Sequence, residues 1–328
     1  MPLQVNDFSV RECFIPRPGF CFIDADIEAL ELCTLAQVEI WLLNDWRKAK
    51  QINSGMDLHC VTGAVMAGLD YKDFFRLAKG EDPDTGEKVP GGKDAAMANT
   101  RNLSKVPGFG KPGGMADRTL VGYARTSYGI KLGAMAVNNY RPSKAESEAE
   151  AVRIGGFWRR ANPNDQDYLD AMRSTRRQDG MYHVIIGHPS VGSVVRRGRA
   201  TYCAACNSPF QGLGALAAGA ITFELQRRAY SDPKSALFGC RMVVHAYDQW
   251  VLECPIPRVT EAAAELTWVI ENIGARKIPD VRLKAPASAS ATWSKSAERV
   301  VDGTGNLLIW GTPQCDEYLQ QQKAQKAA

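Results

Sequence analysis

The chain has 328 residues, 45% hydrophobic and 23% charged, with 40 Lys+Arg against 36 Asp+Glu for a net charge of +4. That composition excludes disordered and collagen-like chains, allows one large core or two modest ones, and suits an anionic partner without demanding one. No window approaches 18 uninterrupted apolar residues, the N-terminus lacks the apolar segment of a signal peptide, and nine cysteines without such a signal read as cytoplasmic thiols.

Phe20 to Ile23 is an apolar run fit for a buried strand. From Ile27 onward Leu30, Cys33, Leu35, Val38, Trp41 and Leu42 recur at helical steps. The strand delivers Asp24 and Asp26 to its C-terminal end, two residues apart and so on one side. Taken alone, Asp26 is better explained as the cap of the following helix. Residues 80–94, GEDPDTGEKVPGGKD, form a turn-rich surface loop.

The stretch RNLSKVPGFGKPGGM, residues 101–115, contains a letter-for-letter G-x-G-x-x-G from Gly108 to Gly113. A dinucleotide site needs a strand before the first glycine and a helix at the last, whereas helix formers precede this one. A Walker A loop fails too, because Lys111 is followed by Pro112. What remains is a helical face on which Arg101, Lys105 and Phe109 lie four apart. Two cations there can grip a polyphosphate, and the ring offers a flat surface to a base or sugar.

Ser143 and Glu146 stand in capping-box spacing, which predicts a helix from about 144. MYHVIIGHPSVGSVVRRGRA reads as strand and turn. Cys203 and Cys206 lack the second pair that a zinc knuckle needs, so they read as small buried helical residues. A long helix is expected to start at Pro209. Met242–Val244 and Val251–Leu252 flank a polar middle, a hairpin displaying Tyr247, Asp248 and Gln249. The closing QQQKAQKAA reads as a frayed polar tail.

In this order, through about residues 11 to 300, the segments resemble the polymerase domain of family A DNA polymerases, the bacterial DNA polymerase I family and its phage relatives. DADIEALELCTLA resembles motif A, whose spacing selects Asp26 and Glu31 rather than Asp24. DLHCVTG resembles an Asp-Ile-His-Thr element, RNLSKVPGFGKPGG motif B, and NSPFQG the Asn-x-Pro-x-Gln-Gly helix start. HAYDQWVLECP resembles motif C, and ATWSKS sits where the family carries a C-terminal tryptophan.

The resemblance implies an α+β fold. A palm, an antiparallel sheet with flanking helices, would span 1–37 and 196–300, with the motif C hairpin at 242–254. A helical fingers subdomain would occupy 38–195, with motif B at 101–114, and an extension with a polar tail 301–328. The implied activity is that of a DNA-directed DNA polymerase, extending a primer 3′-hydroxyl with dNTPs. Two divalent ions, Mg²⁺ with Mn²⁺ as the alternative, would be held about 4 Å apart by the catalytic Asp26 and Asp248. Arg101, Lys105, Phe109, Glu31 and His59 would bind the nucleotide, Glu31 by crowding its 2′ position. Asn207, Gln211 and Tyr247 would meet the primer-template DNA.

The chain also departs from the pattern. Gly113 stands where the family has a tyrosine, and Pro107 and Pro112 interrupt motif B, predicting a kink or a later helix start. Gln249 replaces a glutamate, and His245 lies three residues before Asp248, with Tyr247 in the adjacent place. Asp24 is an extra acid able to compensate for the missing one. Thumb and exonuclease domains, which precede motif A in the family, are expected to be missing from this polypeptide. The expectation is therefore the C-terminal half of a split polymerase in a bacterial or virus-infected bacterial cytoplasm, with the missing parts on a separate polypeptide and no membrane partner. Two alternatives stay open: a catalytically impaired homologue acting as a DNA-binding or structural subunit, and a palm enzyme using ribonucleotides, against which Glu31 argues.

Overall fold

The computed structural model describes residues 10–133 and 141–327. Most of the stretch read for a signal segment, and the last residue of the tail, lie outside them. In chain order come β1 (Phe20–Asp26), α1 (Leu30–Leu43), α2 (Arg47–Asn53), α3 (Leu58–Ala67) and α4 (Tyr71–Lys79). They are followed by α5 (Ala95–Gly110), α6 (Leu120–Tyr128), α7 (Lys144–Ala161) and α8 (Pro163–Ser174). A ribbon of β2 (Tyr182–His188) and β3 (Ser193–Ala200) leads into α9 (Tyr202–Ser231). The chain ends with β4 (Arg241–Ala246), β5 (Gln249–Pro255), α10 (Val259–Ala275), β6 (Ser288–Ser290), β7 (Val300–Val301), β8 (Leu307–Leu308) and α11 (Pro313–Ala327).

Two compact units emerge. One joins the segment up to Leu30 with the chain from Gly214 onward, and the other is the continuous insert Glu31–Leu213. The joins fall inside α1 and α9, whereas the sequence expectation set them near 38 and 195. The ribbon explains the later join. Ile186 lies so close to Gly212 that a Cβ there would come within 2.4 Å of it, and Arg197 Nη1 donates to Ser208 Oγ at 2.8 Å. Both contacts tie the first half of α9 to the insert.

The first unit is built on an antiparallel sheet of order β4-β5-β1-β6. Strand alternation sends Cys21, Ile23, Ala25, Trp250, Leu252 and Cys254 to one face, where all are buried. Helix α10 covers that side, with Leu266, Val269 and Ile270 fully buried along its inner stripe. Each such side chain contributes about 1.5–3 kcal/mol on leaving water. The opposite face carries Phe22 and Val251, packed with Trp293, and then Asp24, Asp26 and Gln249. The tail corrects the sequence reading: its segment is the helix α11, because Cys315, Tyr318 and Leu319 pack on Val300 and Leu308.

The second unit is helical, and its helix starts are written locally. Asp57, Asp70 and Asp94 cap α3, α4 and α5, while Ser143 and Glu146 form the expected capping box of α7. Two helices run through a proline. Helix α5 runs through Pro107 to Gly110, so it neither starts late nor stops at that residue, and Pro107 is buried in the unit. Helix α9 starts at Tyr202, not at Pro209. In the turns before this second proline, Asn207 donates to Cys203 O, Ser208 to Ala204 O and Tyr168 to Cys206 O; none of these is Ala205 O, the carbonyl that Pro209 leaves without its amide donor. Cys206 is buried as expected of a small helical residue, but Cys203 is exposed.

Inside the second unit lies a charged cluster. Lys48, 2% exposed, bonds Asp165 and sits 3.4 Å from Glu39 Oε1, while Asn164 Nδ2 donates to Glu39 Oε2 at 2.8 Å. Buried ions of this kind persist only when paired.

Candidate active site

In the first unit, β1 and the β4–β5 hairpin meet through their ends. Asp26 pairs with Gln249 across the sheet, and Ile27 N donates to Asp248 O at 3.1 Å. A two-residue turn, Tyr247-Asp248, joins β4 to β5 as the hairpin reading expected. These residues open onto a pocket of about 410 Å³ lined by Asp24, Asp26, Tyr247, Asp248 and Gln249 on one side, with Arg11, Trp293 and Lys295 among the rest.

The pocket concentrates negative charge. Its low-dielectric walls push the Asp26 carboxyl up to about 7, and the charges of Asp248 and Asp24 push the same way, with Arg11 offsetting part. The outer side of Asp26 remains open to solvent. Burial pushes Asp24 up to about 6, although the Gln249 amide and Arg11 oppose it. Asp248 is raised by burial too, partly offset by a backbone hydrogen bond and one with the Asp26 side chain. Gln249 Nε2 donates to both Asp24 oxygens, at 3.0 and 2.7 Å, so the amide in motif C and the extra acid on β1 form a pair.

Among the described residues, no three His, Cys, Asp or Glu side chains gather closely enough to hold a metal ion by themselves. Two oxygen donors facing an open pocket suit a cation that keeps water and substrate oxygens as its other ligands, the habit of Mg²⁺. A cation there would favour the ionised form of both carboxyls, which burial disfavours in its absence.

In the second unit, α3 and α5 pack together and build a cationic face. Arg101 donates through Nε and Nη2 to Asp57 Oδ2, at 2.9 and 2.5 Å, while the same aspartate accepts from the amides of His59 and Cys60. Burial raises the Asp57 carboxyl, and Arg101 more than offsets it, leaving it below the usual range. His59 is lowered to about 4 by burial, against Asp57 and helped by Arg101 and Lys105. Its imidazole is therefore neutral at pH 7. The ring lies 5.1 Å from that of Phe109, at 54°. The glycine match of motif B sits at the C-terminal end of α5, without a strand before it.

Asn207 and Gln211 stand on the first half of α9, linked by Gln211 Nε2 donating to Asn207 Oδ1 at 3.1 Å. They line an open groove of about 620 Å³ with Arg197, Ser208 and Ile186. Asn207 Nδ2 also donates to Gly113 O at 3.1 Å, and a Cβ on Gly113 would come within 2.6 Å of that amide. The side chain missing at 113 is thus matched by Asn207 occupying its space. Glu31 acts electrostatically on Tyr123 and Tyr128, an edge-to-face pair 5.7 Å apart.

Sequence reasoning missed Arg11, Lys295, Arg197 and the Asp57–Arg101 pair. The cap of α3 is legible at Asp57, but its partner lies 44 positions away. Arg11, Lys295 and Arg197 carry no spacing signal, since only tertiary structure brings them to these positions.

No protein-family model matches the chain. It is 24% identical over 275 residues to DNA polymerase I of Deinococcus radiodurans, covering 82% of this chain and 23% of that protein. It is 23% identical over 276 residues to DNA polymerase I of Caldicellulosiruptor bescii, covering 82% of this chain and 26% of that one. The chain therefore spans about a quarter of the length of these curated relatives. Its fold is similar to the POL domain of Pol1 from M. smegmatis, solved with DNA primer-template and dNTP, at a TM-score of 0.59 and 17% identity over 89% of this chain and 44% of that one. The resemblance to the polymerase portion of family A DNA polymerases thus appears in both sequence and fold. Among the described residues no helix is long and apolar enough to cross a membrane.

Proposed function

We propose that this chain carries the nucleotidyl-transfer centre of a DNA-directed DNA polymerase, adding dNTPs to a primer 3′-hydroxyl. The observation that carries the reading is the convergence of Asp26, at the end of β1, and Asp248, in the β4–β5 turn, on one pocket. The two aspartates would hold a pair of Mg²⁺ ions, or Mn²⁺ in their place. Those ions, when bound, supply activation of the primer hydroxyl and neutralisation of the departing pyrophosphate.

The protein's own groups have separable tasks. In the first unit, Asp26 and Asp248 orient the reacting centre, the Gln249 amide fixes Asp24 beside it, and Tyr247 contacts the primer-template. In the second unit, Arg101 and Lys105 bind the triphosphate, Arg101 as a permanent cation. His59, neutral, adds a hydrogen-bond donor without further charge, and Phe109 covers the base and sugar. Glu31 excludes a 2′-hydroxyl by bulk and charge, and Asn207 and Gln211 meet the primer-template bases. The mapping of the insert 31–213 to the fingers, and of the sheet-bearing unit to the palm, belongs to the same proposal.

Primer extension with labelled dNTPs tests it, comparing wild type with Asp26→Ala and Asp248→Ala. Wild type should incorporate, and each variant should lose about 10³-fold or more if the carboxylates hold the ions. Equal incorporation by all three would remove the proposed ligands. No incorporation by the wild type would instead favour the impaired, DNA-binding homologue.

A further inference from the structure

Asp248 sits in a turn that its own sequence disfavours. Tyr247, just before it, has φ of +59°, the left-handed region that bulky side chains avoid and glycine usually fills. Packing of the tyrosine ring does not hold this conformation, because the residue is 80% exposed. Something else must fix the backbone that aims the Asp248 carboxylate.

The structure offers one device, on the face of the sheet opposite the carboxylates. His245 pairs with Trp250 across β4 and β5, and their rings stack at 5.1 Å and 10°. His245 Nε2 lies 3.2 Å from Tyr247 O, and its Nδ1 lies 3.4 Å from Thr222 Oγ1 on α9. Trp250 Nε1 donates to the same threonine oxygen at 2.9 Å. The chemistry sets the direction of the chain. A carbonyl can only accept, so Nε2 carries the proton and donates to Tyr247 O. A neutral ring then presents a bare Nδ1, which accepts from the Thr222 hydroxyl, while the threonine oxygen accepts from the indole. Every donor and acceptor from the buried Trp250 to the strained turn is used. The far side of the turn is tied as well, by Ile27 N donating to Asp248 O at 3.1 Å.

We infer that His245 is a positioning residue: through the Tyr247 carbonyl it locks the left-handed turn that presents Asp248 to the reacting centre. This rests on the polymerase reading above. His245 touches neither nucleotide nor ion in the proposal, and its effect passes through the backbone of one neighbour. The departure from the motif C pattern, with the histidine displaced from the position next to the aspartate, thereby gains a physical role.

The test is a double-mutant cycle on the full chain, combining His245→Phe, which keeps a ring to stack but loses both hydrogen bonds, with Tyr247→Gly, which makes the turn conformation easy. Three quantities are read: kcat for single-nucleotide addition, Mn²⁺ affinity by electron paramagnetic resonance, and hydrogen exchange of residues 244–251. In the Tyr247 background His245→Phe should cut kcat and Mn²⁺ affinity by roughly tenfold, with KM for dNTP within about twofold, and speed exchange in the turn. In the Tyr247→Gly background the same substitution should change each by less than about twofold. His245→Gln, whose amide can donate from nearly the position of Nε2, should restore most of the loss.

Equal losses in both backgrounds would mean that His245 merely supports the fold, and would overturn the inference. So would a His245→Phe protein indistinguishable from an active wild type. A wild type that neither binds Mn²⁺ nor adds nucleotide would refute the polymerase reading itself, and this inference with it.

Discussion

Replacing Asp26 with asparagine should make the metal-free protein more stable at neutral pH. The carboxyl is raised from an ordinary 3.8 to about 7 by its surroundings and by Asp248 and Asp24. A raised acid holds a proton in the native state that the unfolded chain has already released. Stability therefore falls as pH climbs from about 4 to about 7, and the penalty is complete above that window. At about 1.36 kcal/mol per pKa unit the full shift would be worth about 4 kcal/mol, but Asp26 is open to solvent on one side, so screening reduces this to about 1–2 kcal/mol. Unfolding followed by circular dichroism in EDTA, at pH 4.5 and pH 8, measures it. Asp26→Asn should gain about 1–2 kcal/mol at pH 8 and almost nothing at pH 4.5, and added Mg²⁺ should stabilise only the wild type. A variant that is no more stable at pH 8 than at pH 4.5, relative to wild type, would refute the crowded-carboxylate argument.

Other outcomes follow from the second unit. Lys48→Met strands Glu39 and Asp165 as buried carboxylates and should cost about 3–5 kcal/mol, read from the denaturant midpoint. Asp57→Asn keeps a good helix cap but removes the charge that anchors Arg101, so KM for dNTP should rise roughly tenfold with little change in melting temperature. Glu31→Ala should narrow the dNTP over NTP preference in kcat/KM by about tenfold or more while dNTP incorporation persists.

Local signals were legible wherever a structure is specified by adjacent residues. The capping box at Ser143, the β4–β5 hairpin and the alternation that puts Asp24 and Asp26 on one side are all visible in short windows. Pro209 misled because propensity is a weak guide to where a helix starts: α9 begins seven residues earlier, at Tyr202. The C-terminal QQQKAQKAA looked like a tail because the apolar anchors of α11, Cys315, Tyr318 and Leu319, lie just before it and pack on residues of β7 and β8. In the site, the resemblance to the family motifs singled out Asp26, Asp248, Arg101 and Lys105, but the contacts around them were hidden. Asp24 with Gln249, Asp57 with Arg101, and Thr222 with His245 are separated by 225, 44 and 23 positions, and only the fold joins them.

Manganese binding tests the heart of the account most directly. Electron paramagnetic resonance titration of Mn²⁺ into the protein with primer-template and a non-hydrolysable dNTP should reveal two protein-dependent ions, both lost or greatly weakened in Asp26→Ala and Asp248→Ala. Unchanged Mn²⁺ stoichiometry and affinity in those two variants would contradict it.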